Sequence, residues 1–309
     1  MTPIKLVTGA GPVGWTVATQ LADAGHRVRI VTRSGSGPDH PLIERRAADA
    51  SDTVQLRQAM EGVDAVFHCI HGSRYRAETW RAELPDAERA VQQVAGEAGA
   101  VVAFPESLYS YSTPDDVMTE TGPRTAHGGK RGVRTALLDA RAASGTPTVT
   151  VVASDFYGPR VLAAHAGERM VPAVMAGRRV IVLGSATAPH SFTYIGDLAA
   201  AMITAAARPE LWNGVWHAPT VPPVTQRQMG QAFATAAGAP AARINAIPGW
   251  VVRAAGLLNT DMRELAEMLY QLERPFVMDS RRSEEALGLA PTSLADGAAA
   301  TVAWWRDQR

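Results

Sequence analysis

Apolar residues in this chain fall into short blocks separated by amphipathic stretches. Residues 4–7 are a brief apolar run and predict a buried strand. Val13, Val17 and Leu21 then recur at helical spacing, and Gly25 closes that helix. The same alternation predicts strands at 28–31, 47–50, 63–69, 101–104 and 148–153, with helices at 54–60, 87–98 and 130–143 between them. Strands that alternate with helices predict an α/β protein whose parallel sheet is covered by helices on both faces. Beyond Pro159 the pattern loosens. It predicts helices at 168–176, 197–207, 226–237, 262–272 and 294–305, an extended run at 180–183 and a short strand at 214–217. No internal repeat and no low-complexity linker interrupts it.

The first strand runs into Gly9-Ala10-Gly11-Pro12-Val13-Gly14, and the first helix follows at once. A Gly-x-Gly-x-x-Gly loop between a strand and a helix is the context of a dinucleotide-binding fingerprint. Gly9 permits the tight turn, Gly11 lets backbone approach a pyrophosphate, and Gly14 lets helix and strand pack closely. Pro12 falls in the first helical turn, where its missing N–H costs nothing. The helix N-terminus then presents N–H groups and partial positive charge to phosphate. The expected architecture is therefore a doubly wound (Rossmann) sheet with a smaller, partly helical C-terminal substrate domain. The dinucleotide-binding domain is expected at 1–160 plus 190–218, and the substrate domain at 161–189 plus 219–309. At the end of the second strand stands Arg33, followed by Ser34. An acidic residue there suits the ribose hydroxyls of NAD, whereas a guanidinium suits the 2′-phosphate of NADP. The cofactor expected is NADP, with NAD the alternative.

Composition narrows the field. Thirty basic and thirty acidic residues cancel, so no nucleic-acid or membrane partner is expected. No run reaches the length of a membrane span. The apolar strand begins within the first residues, leaving no segment that reads as a signal peptide, and a cytoplasmic location is expected. The one cysteine, Cys69, lies in an apolar run and predicts a buried thiol, not a disulfide. His68 and His71 flank Cys69-Ile70, but strand alternation points neighbours to opposite faces, so no metal site is expected.

Beyond the loop, several segments resemble the extended short-chain dehydrogenase/reductase family, the NAD-dependent epimerase/dehydratase group. Gly62-Val63-Asp64-Ala65-Val66-Phe67-His68 looks like its fourth-strand motif. Asp155-Phe156-Tyr157-Gly158-Pro159 resembles its Asn-x-Tyr-Gly-Pro. Ser191-Phe192-Thr193-Tyr194-Ile195-Gly196-Asp197 resembles its Phe-x-Tyr-Val-x-Asp segment, and Gly288 to Trp305 its C-terminal ending. The likeness implies hydride transfer between a nicotinamide and a carbonyl or alcohol carbon, with Asp49 near the adenine. It also suits a homodimer.

The resemblance fails at the catalysts. The family uses a Ser or Thr after the fifth strand and a Tyr-x-x-x-Lys on the next helix. Aligning Leu108-Tyr109 with the family's Val-Tyr-Gly puts Pro105 at the Ser/Thr position. Lys5 and Lys130 are the only lysines, which favours Lys130 as the family lysine and puts Ala126 at the tyrosine position. Pairing Arg131 instead puts His127 there. Neither register supplies a tyrosine. Lys130 is expected to hold the nicotinamide ribose. Replacement acids or bases are sought in His127, whose ordinary pKa lies near working pH, in Tyr109, and in Glu106, where dehydratases of the family carry an acidic residue. Asp155, His190 and Tyr111 are expected to face substrate. His190 stands near the family's Arg, which argues against a nucleotide-sugar substrate. Three readings stay open: an NADP-dependent oxidoreductase or epimerase acting on a small, fairly apolar molecule; a redox-sensing NADP-binding protein without turnover; and a non-redox isomerase, lyase or cyclase in the same cleft.

Overall fold

The computed structural model describes residues 2–308 as two compact units. The first comprises residues up to 110, 124–152 and 198–218. Its strands and helices, in chain order, are β1 (Ile4–Thr8), α1 (Pro12–Asp23), β2 (Arg27–Thr32), β3 (Ile43–Ala47), α2 (Thr53–Ala59), β4 (Val63–His68), α3 (Ala77–Ala98), β5 (Val101–Ser107), α4 (Gly129–Ala143) and β6 (Thr148–Ala153). Most of the helix Ile195–Ala206 and the strand Val215–His217 complete it. The strands form one seven-stranded sheet in the order Val215–His217, β6, β5, β4, β1, β2, β3. β1 is central and pairs in parallel with β2 and β4, so Thr8 stands level with Val31 on one side and His68 on the other. This is the expected α/β fold. A parallel sheet covered by helices reads as near-continuous apolar strands, and β6 is buried at all six positions.

Two elements differ from expectation. β3 occupies Ile43–Ala47, not 47–50. It is an edge strand with the polar text Ile-Glu-Arg-Arg-Ala, so apolar patterning has little hold on it. α3 starts ten residues early, at Ala77. Trp80 and Leu84 extend the buried stripe of Ala87, Val91 and Ala95 by helical spacing, through Pro85 and a run of surface charges.

The second unit comprises 111–123, 153–197 and 219 onward. Residues 111–123, 153–160 and 190–197, grouped on sequence with the dinucleotide-binding part, cluster here. It holds two small parallel pairs, Asp155–Tyr157 with Phe192–Tyr194 and Arg179–Leu183 with Arg243–Ile247. Helices Gln226–Ala237 and Leu294–Asp307 bury Met229, Phe233, Ala298 and Val302 against Tyr157, Val174 and Phe192. The single helix expected at 262–272 is two, Thr260–Glu267 and Tyr270–Glu273, broken at the buried Met268 and Leu269. Gly297 lets the last helix pass the Tyr157 hydroxyl, which a Cβ would strike. No described helix is long and apolar enough to cross a membrane.

Candidate active site

The glycine loop leaves β1 at the sheet's carboxyl edge, where ligands bind in such folds. Gly9 has φ +91°, and a Cβ on it would lie 3.0 Å from the Cys69 carbonyl oxygen. A Cβ on Gly14 would strike the Gly9 carbonyl. Both glycines are thus required by packing of the loop against β4 and α1. Gly11 is different: a Cβ there would meet nothing within 4 Å. The protein itself gives no reason for glycine at that position, whereas a phosphate lying on the backbone does. Gly11 is also the residue that caps α1, whose helical run begins at Pro12 as expected. No side chain caps α1, and its first turn carries no acid. Val13 and Gly14 sit buried in that turn. An uncapped N-terminus with open space before it suits a pyrophosphate, so the residues present fit a dinucleotide.

Arg33 and Ser34 are exposed in the turn after β2, where Ser34 Oγ donates to Ser36 Oγ at 3.0 Å. Asp49 is exposed beyond β3, and its Oδ1 accepts the Ser51 N–H at 2.9 Å, closing the turn that leads into α2. Cys69 is half-buried beside the loop.

The four candidate catalysts, all in this unit, separate into two settings and a surface position. Glu106 points into a buried ion cluster, and its side chain is 0% exposed. Arg141 of α4 grips Glu88 of α3 with two hydrogen bonds of 2.6 and 2.7 Å and reaches Glu106 at 3.0 Å. Arg134, one heptad earlier on α4, lies 3.5 Å from Glu106 and stacks its guanidinium 4.8 Å above Trp80. Burial works against the Arg141 charge, and the two carboxylates more than offset it, raising the pKa. Beside them His68 shares a 2.8 Å hydrogen bond with Thr8 Oγ1, and burial pushes its pKa down to about 4.

Tyr109 lies in the turn after β5, in a different neighbourhood. Its ring stacks on Trp80 at 6.2 Å and 8°, and its hydroxyl is 2.8 Å from that of Tyr75. Tyr75, on the segment after β4, packs edge-on against Trp80, and the Lys130 ammonium sits 4.9 Å from its ring centroid. Lys130 itself is fully buried on the inner face of α4. The structure thus brings Tyr109 and Lys130 together through Tyr75, a residue sequence reasoning missed. His127 is exposed just before Gly128, which caps α4. Ala126 is buried and accepts a 2.6 Å hydrogen bond from Thr135.

In the second unit Tyr111 is buried and its hydroxyl donates to the Thr119 carbonyl at 2.9 Å. His190 is sandwiched between Phe192 and Phe276. Its Nδ1 lies 2.9 Å from the Gln271 carbonyl and its Nε2 3.0 Å from Asp155 Oδ2. Burial works against the Asp155 carboxylate, but His190, with His165 nearby, holds its pKa below the ordinary value. Among the described residues no cluster of His, Cys, Asp and Glu is placed to hold a metal.

A central strand, glycine turn and uncapped helix define a dinucleotide-binding enzyme of the α/β class. The chain belongs to the NAD dependent epimerase/dehydratase family, whose pattern matches residues 5–214. No curated protein matches it in sequence. Among solved structures it is similar to the enzyme WbmH of Bordetella bronchiseptica in complex with NAD+, at 18% identity over 100% of both chains, with a TM-score of 0.75. It is likewise similar to the UDP-glucose 4-epimerase of Thermotoga maritima with UDP-glucose, at 17% identity over 99% of both chains and a TM-score of 0.77. The UDP-N-acetylglucosamine 4-epimerase of Bacillus cereus gives 16% identity over 98% of this chain and 96% of that one, with a TM-score of 0.76.

Proposed function

We propose that the chain is an NADP-dependent oxidoreductase or epimerase acting on a small, fairly apolar carbonyl or alcohol. The phenols of Tyr109 and Tyr75 work in place of the family's usual Ser and Tyr. The observation that carries this reading is the 2.8 Å contact of the two hydroxyls beside the buried ammonium of Lys130. A nicotinamide dinucleotide held there would supply or accept the hydride. Gly11 and the start of α1 hold its pyrophosphate, Lys130 its nicotinamide ribose, and Arg33 with Ser34 the 2′-phosphate. The phenol pair moves the proton at the substrate oxygen, and a positioned general acid is worth about 10²–10⁴-fold.

One feature of this chain separates its substrate class from that of a related structure. The structures named above include one holding UDP-glucose. In this chain Asp155 stands where the family pattern has Asn, with its carboxylate kept ionised by His190. A carboxylate in place of a neutral amide only accepts hydrogen bonds, which suits a small neutral molecule bearing a hydroxyl better than the diphosphate of a nucleotide sugar. The absence of a hydroxyl at Pro105 and Ala126 favours one other reading, a protein that binds NADPH to sense it.

The test is loss of reduced-nicotinamide absorbance on adding a panel of small aldehydes and ketones, with NADPH and NADH compared. Turnover that prefers NADPH and is lost in Lys130→Met, with the circular dichroism spectrum unchanged, is expected. Tight NADPH binding without turnover on any carbonyl would establish the sensing reading. Turnover with constant absorbance would point to non-redox chemistry or an epimerase that returns its hydride.

A further inference from the structure

We infer that Tyr75 is the group that exchanges a proton with the substrate, and that Tyr109 is its positioning partner. The inference rests on the reading above and names the atom that carries it. The family pattern places tyrosine one helical turn before the lysine, on the same helix; here that position is Ala126, which is buried. The tyrosine that meets the Lys130 ammonium instead arrives from the segment after β4. Three contacts fix it. Lys130 Nζ lies over its ring, 4.9 Å from the centroid. Its hydroxyl meets the Tyr109 hydroxyl at 2.8 Å. Its ring edge rests on Trp80 at 5.4 Å and 86°. Gly72 makes room for this arrangement, since a Cβ there would strike the Trp80 ring.

The two phenols are unequal. Tyr75 is 40% exposed, whereas Tyr109 is half-buried against Trp80 and Leu84. A phenolate spreads its charge into the ring, and a cation over the ring face stabilises it. Lys130 faces Tyr75 in that way. Tyr109 then donates its proton to the Tyr75 oxygen and steadies the charge further. Other charged or titratable groups of this patch include Arg134 and His71, both packed on Trp80, Arg131, whose Nε donates to the Tyr109 carbonyl at 3.3 Å, and Glu83, whose carboxylate accepts the Ser73 N–H and hydroxyl. Arg74 and Arg76 flank Tyr75 in sequence. Burial pushes the His71 pKa down to about 4, so the cations of the patch are Lys130 and the arginines, and these favour the ionised phenol. In the reducing direction the Tyr75 O–H bond breaks and its proton joins the substrate oxygen. The phenolate left behind is reprotonated from water.

The chain has six tyrosines, and their ionisation is read directly from the near-ultraviolet tyrosinate band of the ligand-free protein as pH is raised. One tyrosinate is expected to form at lower pH than the other five. It should vanish in Tyr75→Phe and move to higher pH in Lys130→Met and Tyr109→Phe. With an active carbonyl substrate, Tyr75→Phe should cost about 10²–10⁴-fold in kcat, and Tyr109→Phe less, with a shifted pH profile. The inference is overturned if the early tyrosinate survives Tyr75→Phe, if it is lost only in Tyr109→Phe, or if no early tyrosinate forms. Because the titration needs neither cofactor nor substrate, an early tyrosinate that is lost in Tyr75→Phe, together with no turnover on any carbonyl, counts against the proposed reaction and not against Tyr75 as the phenol that ionises first.

Discussion

Glu106 and Tyr109 are three residues apart at the end of β5, and each is an acid that the sequence offers to catalysis. The structure gives them opposite surroundings. Glu106 turns inward, and both its oxygens are engaged by Arg141, Arg134 and the Ser107 backbone. Tyr109 lies on an aromatic surface with its hydroxyl on a second, partly exposed phenol. α4 explains the difference. Its buried face carries Lys130, Arg134 and Arg141 beside Val133 and Leu137. The two arginines are spent on carboxylates, while the lysine lies against a tyrosine ring. A charged residue near a sheet edge is therefore a candidate only until its partners are known. Fully paired, it holds elements together; set beside an exposed phenol, it can tune a proton.

The largest effect that would break the comparison is in the locked cluster. Arg141→Met leaves Glu88 and Glu106 buried with one guanidinium fewer, and should destabilise the fold by about 3–5 kcal/mol in urea denaturation. A loss near zero would show that the cluster is open to water. His68, in the same cluster, predicts a pH dependence. Its folded pKa of about 4 lies below the ordinary value near 6.5. The unfolded chain therefore takes up a proton that the folded chain refuses as pH falls from about 6.5 to about 4. Stability is complete above that window and declines through it, by roughly 3 kcal/mol at the acid end. Thermal melts of His68→Gln should lack this component, and an unchanged acid limb would contradict the burial of His68. Glu106→Gln keeps shape but removes the charge. It should lose about 1–3 kcal/mol of stability with kcat almost unchanged. An unchanged melting temperature with a collapsed kcat would make Glu106 the acid instead. The smallest effect belongs to the exposed arginine. Arg33→Gln should weaken NADPH binding about tenfold, or 1.4 kcal/mol, and leave NADH untouched, as read by fluorescence titration.

Much of the first unit was legible because each signal there is local. The glycine loop, Pro12 and the apolar β1 sit in one continuous stretch, and the helical stripe of α1 follows directly. β3 was misplaced because an edge strand of Glu and Arg carries no apolar alternation, and α3 was cut short because Pro85 and surface charges obscure Trp80 and Leu84. The strand Arg243–Ile247 and the helix Gly249–Gly256 were missed for a similar reason: most of their side chains face solvent. At the site, Lys130 and Tyr109 could be named from sequence, but Tyr75 could not. Its contacts to residues 80, 109 and 130 come from three separate elements. The ion cluster did leave a trace. Arg134 and Arg141 are a heptad apart in line with Val133 and Leu137, so two charges occupy an apolar stripe, and Glu88 interrupts the one on α3. Charge within a buried stripe is a signal of pairing across elements.

The central claim is that the proton moves through the phenols and not through the carboxylate. Single-turnover oxidation of NADPH by an active carbonyl substrate, run side by side on Tyr75→Phe and Glu106→Gln, tests it most directly. The account predicts a rate lowered by about 10²–10⁴-fold in the first and close to that of the unaltered protein in the second. The reverse order, with Tyr75→Phe at full rate and Glu106→Gln inert yet folded, would contradict it.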